Sequence, residues 1–561
     1  MRPLRVAIVG GGVAGLTAAF ELSRHPECAV TVYQPGWRLG GKAASGRGVG
    51  GRIEEHGLHY WPGFYENAFR MIRAVYGELA RPDSARIATW RQAFTPLDSM
   101  GIADPATGTP WTTVLPRTEG LPGEPDATLP DLLGYVRHLQ AASDSVLRAV
   151  ARDRQPTRLL AIADLLAVVT RGLVSDRVLT SRHGLDVLDG EDYRAWLRRH
   201  GALPGTLDSA FVRCPYLSLI ADGGSGELSA AVALRACLRL FFTYRGPFAW
   251  AMEGSMGDIV IAPLYEMLVR RGVDFRFFHR VSEVHLSVDE PCHVEAIDVE
   301  IEARTEGYQP LVDVAGVPSW PAAPDLDQIE AANERKRLTV GNDFDAVVLA
   351  VGHGALPSLT KQLSMRFPAW RQMCETVRTT NTQAVQLWFH RPLEELGWRS
   401  EAGTILGGFR SPFDSVADMR RVLSHEPGHQ ARGLLYLAGP LDDASDDDDE
   451  DEAKVAARAD RFVSHDLPVL LPELRTSDIA DRFVTANLDP SDRYVLSRPG
   501  TSAARISPLD LLADNLTIAG DWTACGLNAG CVEAAVISGR LAAHALTGEP
   551  GLRDIIGWDH P

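Results

Sequence analysis

The sequence has no run of about 18 uninterrupted apolar residues, so no membrane-spanning helix is expected. Cysteine is scarce and scattered. The seven residues, at positions 28, 214, 237, 292, 374, 525 and 531, are odd in number and form no C-x-x-C pair. That pattern predicts buried thiols in a reducing cytoplasm, not a disulfide framework. No clustered ligand spacing marks a metal site, so none is expected. The chain enters a strand pattern at Leu4 to Val9, which speaks against a cleavable leader. No basic stripe runs along the chain, so nucleic acid is not an expected partner. The net charge of −17 is concentrated, with nine acidic residues between Asp442 and Glu452. Packed like charges repel, so 441–452 is expected to be a solvated, flexible loop, with a partner-binding acidic loop as the alternative.

What is present is the composition of a globular protein, 45% hydrophobic and 23% charged over 561 residues. That length predicts two or three domains. Leu4, Val6, Ile8 and Val9 read as a short buried strand, and Gly10-Gly11-Gly12-Val13-Ala14-Gly15 follows at once. Helical spacing then runs from Leu16 to Arg24, and Ala29 to Tyr33 reads as a second strand. This is a βαβ unit with G-x-G-x-x-G at its first turn. Gly10 allows the tight turn, Gly12 lets the backbone approach a pyrophosphate, and Gly15 lets the helix pack closely. Val13 and Ala14 lie at the helix N-terminus, whose free N–H groups and positive dipole end favour phosphate. The acid expected after the second strand is replaced by Gln34, which can bond a ribose diol only as a neutral group. Arg38-Leu39-Gly40-Gly41-Lys42 comes next, a glycine pair between basic residues suited to a diphosphate, and it moves the reading from a nicotinamide to a flavin.

A second motif lies near the other end. Leu516, Ile518 and Ala519 form a short apolar strand ending in Gly520-Asp521. Asp521 is placed to meet ribityl hydroxyls or, through water, the pyrophosphate. Asn528-Ala529-Gly530 opens a helix that starts at Cys531 and Val532 and runs to Leu546, with Ala534, Ala535, Ser538 and Gly539 allowing close packing. The N-terminus of such a helix would stabilise negative charge on a reduced flavin.

Between them stand Gly41-Lys42-Ala43, Glu55-His56-Gly57-Leu58-His59 and Gly63-Phe64-Tyr65-Glu66-Asn67. These motifs resemble the plant- and cyanobacterial-type phytoene and ζ-carotene desaturases, within the flavin amine oxidase superfamily. Fainter matches run through 188–201, 252–272 and 345–352. The resemblance implies an α/β fold: a Rossmann-type, doubly wound FAD-binding domain with a parallel sheet, and a mixed α+β substrate domain. The expected division assigns 1–80, 235–360 and 491–561 to the cofactor, and 81–234 and 361–490 to the substrate, including a helical part. FAD is the implied cofactor. The implied reaction passes a hydride from a C–H bond of an apolar small molecule, isoprenoid or polyene, to flavin N5, with oxygen or a quinone as electron acceptor. Gly57, Leu58 and His59 would pass near the isoalloxazine ring, and the backbone of Val281 would meet the adenine. His59, then His56, are the acid/base candidates; the plainer reading is that they hold the loop and touch the cofactor. Peripheral membrane contact, as in hydrocarbon-handling relatives, and the oligomeric state stay open. Phe241 to Trp250 reads as either core or the wall of an apolar channel, and Trp388 and Trp522 as further residues near the flavin. An amine or amino-acid oxidase, a redox-neutral flavin-dependent isomerase and a flavin-binding protein without turnover are the rivals on the same fold.

Overall fold

The computed structural model describes residues 2–104, 107–150, 157–219, 226–428, 430–441 and 452–560. The acidic stretch 442–451 lies outside the described residues. Five parallel strands form the first sheet: β1 (Leu4–Val9), β2 (Cys28–Gln34), β3 (Asp274–Phe277), β4 (Ala346–Leu349) and β5 (Leu516–Ile518), in the order β3-β2-β1-β4-β5. Every pairing is parallel and in register, as for Val6 beside Ala346 and Val30. Successive side chains of a strand point to opposite faces, and here both faces are covered. Val6 and Ile8 join a core with helix α1 (Val13–Leu22), while Ala7 and Val9 join a second core with Val281, Val299, Trp370 and Trp522. This is the doubly wound Rossmann-type arrangement.

The C-terminal helix α2 (Val532–Thr547) packs along α1. A Cβ on Gly539 would lie 2.4 Å from the Ala14 carbonyl oxygen, so the two backbones meet where only glycine fits. The Arg540 guanidinium also reaches the Glu21 carboxylate at 2.9 Å, both side chains 5% exposed. Arg540 also bonds Asn67 Oδ1 at 2.8 Å and Glu21 pairs with Arg24 at 3.1 Å, so the contact is one link of a buried network between the two helices.

A second, seven-stranded sheet runs in the order Ile479–Asn487, Thr382–Phe389, Gly433–Pro440, Ser415–Asp418, Ile405–Gly407, Ser99–Ala103, Pro110–Val114. It is mixed: Ile405–Gly407 and Ser99–Ala103 are parallel and the other neighbours antiparallel. Helices Leu132–Val150, Thr157–Ser175, Tyr193–Arg199 and Ala230–Phe242 pack around Trp196 in a separate helical core. Among the described residues no helix is long and apolar enough to cross a membrane.

Phe248 and Trp250 flank the start of strand Ala249–Met252, with Trp250 packed against Phe69 and Trp90. Trp388 is buried and donates to Glu426 Oε2 at 2.7 Å; Trp522 is buried and donates to the Val351 carbonyl at 2.9 Å. Both tryptophans thus complete cores.

Candidate dinucleotide site and adjoining cleft

The glycine turn follows from local sterics. Gly10 has φ +110°, and a Cβ there would lie 2.5 Å from the Ala350 carbonyl oxygen. A Cβ on Gly15 would lie 2.2 Å from the Gly10 carbonyl oxygen, so α1 is pressed onto the turn. Gly12 differs: a Cβ there meets only backbone of Gly40 and Gly41, each at 4.0 Å. Gly12 is thus uncrowded on that side, in no more than ordinary contact with the Gly40–Gly41 backbone, next to the first turn of α1, where Val13 and Ala14 have no side-chain cap. A bare glycine beside uncapped N–H groups fits a diphosphate. Gln34 closes the rim, its Oε1 accepting the Gly11 N–H at 3.1 Å. Its amide nitrogen remains as a neutral donor toward a ligand.

The Arg38–Lys42 loop is docked on this turn. Gly40 N–H donates to the Gly11 carbonyl at 2.8 Å, and Gly41 comes up against Gly12. Lys42 Nζ then pairs with Asp521 Oδ2 at 2.6 Å. This joins the N-terminal cradle to Gly520-Asp521 at the end of β5. The Asp521 carbonyl accepts from the buried Arg505 guanidinium at 2.9 Å, and Tyr494 lies under Lys42 and donates to the Gly530 carbonyl. Asn528, at φ +55°, accepts the Cys525 N–H with Oδ1 at 3.2 Å and so shapes the turn into α2. Cys531 precedes α2 and its Sγ accepts the Ala534 N–H at 3.4 Å; burial pushes its thiol up to about 12, so it stays neutral beside Val532. The positive end of α2 therefore carries no thiolate against it.

Val281 is buried in strand His279–Leu286 opposite Val299, in the core shared with Val9. Arg38 contacts His56 Nε2 and lies over the Trp37 ring. His56 Nδ1 faces Asn487 Oδ1 at 3.2 Å. Burial, reinforced by Arg38, pushes His56 down to about 4, so it is neutral near pH 7 and both ring nitrogens are engaged. His59 is different. Its Nδ1 is buried without a hydrogen-bond partner among the described residues, 3.7 Å from Glu55 Oε2, which is buried and likewise without one among them. Glu55 Oε1 is held by the Met256 N–H at 3.1 Å, so the free carboxylate oxygen is aimed at the imidazole. Gly57 and Leu58 form the turn between them, Leu58 packing near Trp388. His59 and Tyr60 line a narrow cleft with Leu97, Trp250, Met252 and Met419.

Sequence reasoning missed the partners that hold these segments. Glu533 accepts the Asn67 N–H at 2.9 Å, the Asn67 amide at 2.7 Å and the Ala68 N–H at 2.9 Å. It thereby caps helix Glu66–Leu79 from the opposite end of the chain. The available signal was a lone acid in the otherwise apolar start of α2. Asp492, whose carboxyl is pushed up by burial near Asp489, Lys42 and Arg38, carried no signal.

Glu283, His285 and Asp298 also come together. There His285 Nε2 bonds Asp298 at 2.8 Å, His285 Nδ1 faces the Gln362 amide at 3.1 Å, and Arg337 bonds both Asp298 oxygens. The imidazole has no free nitrogen for a metal.

Two segments of the chain match the profiles of known families. Residues 8–75 match the profile of an NAD(P)-binding Rossmann-like domain, and residues 324–547 that of the flavin containing amine oxidoreductases. The ζ-carotene desaturase of Synechocystis sp. is 25% identical over 331 residues, covering 56% of this chain and 58% of that protein. The match thus spans little more than half the relative's length. The chloroplastic/chromoplastic ζ-carotene desaturase of Solanum lycopersicum is 39% identical over 75 residues, 13% of each chain. Among solved structures, an oxidoreductase from Methanosarcina mazei superposes with TM-score 0.56 at 12% identity, over 96% of this chain and 99% of that one. Cyclohexylamine oxidase from Brevibacterium oxydans superposes with TM-score 0.55 at 15% identity, over 98% and 99%. At these identities the superpositions establish the fold. Residues 324–547 thus resemble the flavin containing amine oxidoreductases, the chain as a whole shares the fold of these oxidases, and about half of it is similar to a ζ-carotene desaturase.

Proposed function

We propose that this chain is an FAD-dependent oxidoreductase, a desaturase or dehydrogenase acting on a C–H bond of an apolar substrate of isoprenoid or polyene type, with oxygen or a quinone as electron acceptor. The observation that carries the reading is the continuity of the site. The glycine turn at Gly12 is joined through Lys42 and Asp521 to the end of β5 ahead of α2, and the Glu55–His59 pair stands beside a narrow, mostly apolar cleft. The residues present fit FAD: Gly12, Val13 and Ala14 for the diphosphate, Gln34 for a ribose, and Asp521 with the first turn of α2 for the flavin end. FAD, when bound, supplies the hydride acceptor. The protein's part is to place the substrate carbon, exclude water and manage a proton. Leu97, Trp250, Met252 and Met419 provide the dry wall. His59 is the residue able to take a proton, with the unpartnered Glu55 oxygen stabilising the imidazolium that results. In this reading the parallel sheet and its flanking segments form the cofactor domain, and the seven-stranded sheet with the helical core forms the substrate domain.

The test is anaerobic mixing of the purified yellow protein with polyenes, amines and hydroxylated metabolites, following flavin bleaching. Bleaching by polyenes supports the proposal. Bleaching by amines alone would make the protein an amine oxidase, turnover only after dithionite reduction an isomerase, and absence of bound FAD would overturn the assignment.

A further inference from the structure

The two cations of the Arg38–Lys42 loop are held differently. Lys42 pairs with Asp521, whereas among the described residues no carboxylate comes within ion-pair distance of Arg38. Asp492, Glu54 and Glu55 act on Arg38 only from farther away. Glu54 is taken up by Arg52, and one Glu55 oxygen by the Met256 N–H. The Arg38 guanidinium is half-buried, lies over the Trp37 ring at 5.1 Å and meets a single hydrogen-bonding group, His56 Nε2. A half-buried guanidinium held on one side by neutral groups is stabilised by an anion on the other.

The protonation of His56 is fixed by its second neighbour. Asn487 ends strand Ile479–Asn487 and points its amide nitrogen at two acceptors, the His56 carbonyl at 3.0 Å and Thr382 Oγ1 at 2.7 Å. A carbonyl only accepts, so the amide cannot be turned round, and Oδ1 is the atom 3.2 Å from His56 Nδ1. Nδ1 therefore carries the proton, and Nε2 presents its lone pair to Arg38, which can only donate. Burial keeps the imidazole from taking a second proton near pH 7. Neither nitrogen is left to act as acid or base, and the ring is a neutral spacer between the end of a strand and a guanidinium.

We infer that His56 and Asn487 are positioning residues for the cofactor: Asn487 sets the tautomer of His56, His56 holds one edge of Arg38, and Arg38 turns its remaining N–H groups to the diphosphate of FAD. This rests on the reading of the Gly10–Gly15 turn as the FAD site, onto which the loop of Arg38 is docked by the Gly40 N–H. The mixed sheet thereby reaches the cofactor's phosphates, since Asn487 and Thr382 face each other across two of its strands.

The test is titration of FAD into the full-length protein stripped of flavin, read by quenching of flavin fluorescence, with no turnover involved. Arg38→Met should weaken FAD binding about tenfold, and His56→Leu by a similar factor. The double variant should bind no worse than Arg38→Met, because His56 acts through the guanidinium. His56→Gln should restore the wild-type affinity, since its amide can donate to Asn487 and accept from Arg38. A residue needed only for folding would not give this pattern. Should His56→Leu fail to fold, Asn487→Ala, which releases the tautomer, takes its place in the cycle with Arg38→Met. Additive losses in the double variant would overturn the inference, and so would a His56→Gln protein that binds as weakly as His56→Leu, or unchanged FAD affinity in Arg38→Met. A wild-type protein that takes up no FAD would instead defeat the cofactor reading itself.

Discussion

At the residue scale, Lys42, the His59–Glu55 pair and His56 carry three distinct burdens. Lys42 is the bridge between the cradle and Asp521, so Lys42→Met should weaken FAD binding roughly tenfold while leaving the fold in place, as measured by flavin release against far-UV circular dichroism. His59 and Glu55 should behave as a unit. His59→Gln and Glu55→Gln should each slow substrate-driven flavin reduction, and the double variant should be little worse than either alone, because Glu55 acts through the imidazole. His56 makes a prediction about pH. Its value falls from the ordinary 6.5 to about 4 in the fold, chiefly through burial. Below pH 6.5 the unfolded chain takes up a proton that the folded chain refuses, so stability is lost as pH falls from about 6.5 toward about 4. His353 and His560, also held near 4 by burial, act in the same direction. Thermal melts across that range should fall in the wild type and fall less steeply in His56→Gln.

At the scale of elements, helices from opposite ends of the chain hold one another in place. Glu533, in the first turn of α2, caps helix Glu66–Leu79 with three accepted hydrogen bonds. Glu533→Ala should cost about 3 kcal/mol by denaturant unfolding, since it leaves buried N–H groups unsatisfied. The α1–α2 contact was foreshadowed by the small residues around Gly539, because close packing leaves a compositional trace. The G-x-G-x-x-G turn was legible because its spacing is local: Gly10 turns at φ +110° and Gly15 is pressed onto the Gly10 carbonyl within half a dozen residues, while the contact of Gly10 with Ala350 was not visible. The partnerships Lys42–Asp521 and Asn67–Glu533 were not legible, since residues hundreds of positions apart are matched only by the folded chain. Trp250 shows a third kind of limit. Its aromatic neighbourhood reads as core or channel wall, and in the structure it packs on Phe69 and Trp90 and also lines the cleft.

At the scale of the whole molecule, the parallel sheet under the proposed cofactor site is assembled from three parts of the chain: β1 and β2 near the start, β3 and β4 returning from the middle, and β5 near the end. Fold and cofactor cradle were readable because both ends carry local motifs of restricted geometry. The substrate region was not, because a mixed sheet and a helical core are built from ordinary hydrophobic patterns whose cavities arise only on packing. The same assembly joins the site to stability: ligand that binds only the folded chain should raise its melting temperature as FAD concentration rises, and Lys42→Met should blunt that rise. The most direct test of the central claim is anaerobic titration of the purified protein with a polyene substrate while the bound flavin is followed by its visible absorbance. The account predicts a yellow protein that bleaches with polyene and regains colour with oxygen or a quinone. A protein that holds no flavin, or whose flavin is bleached by amines and not by polyenes, would contradict it.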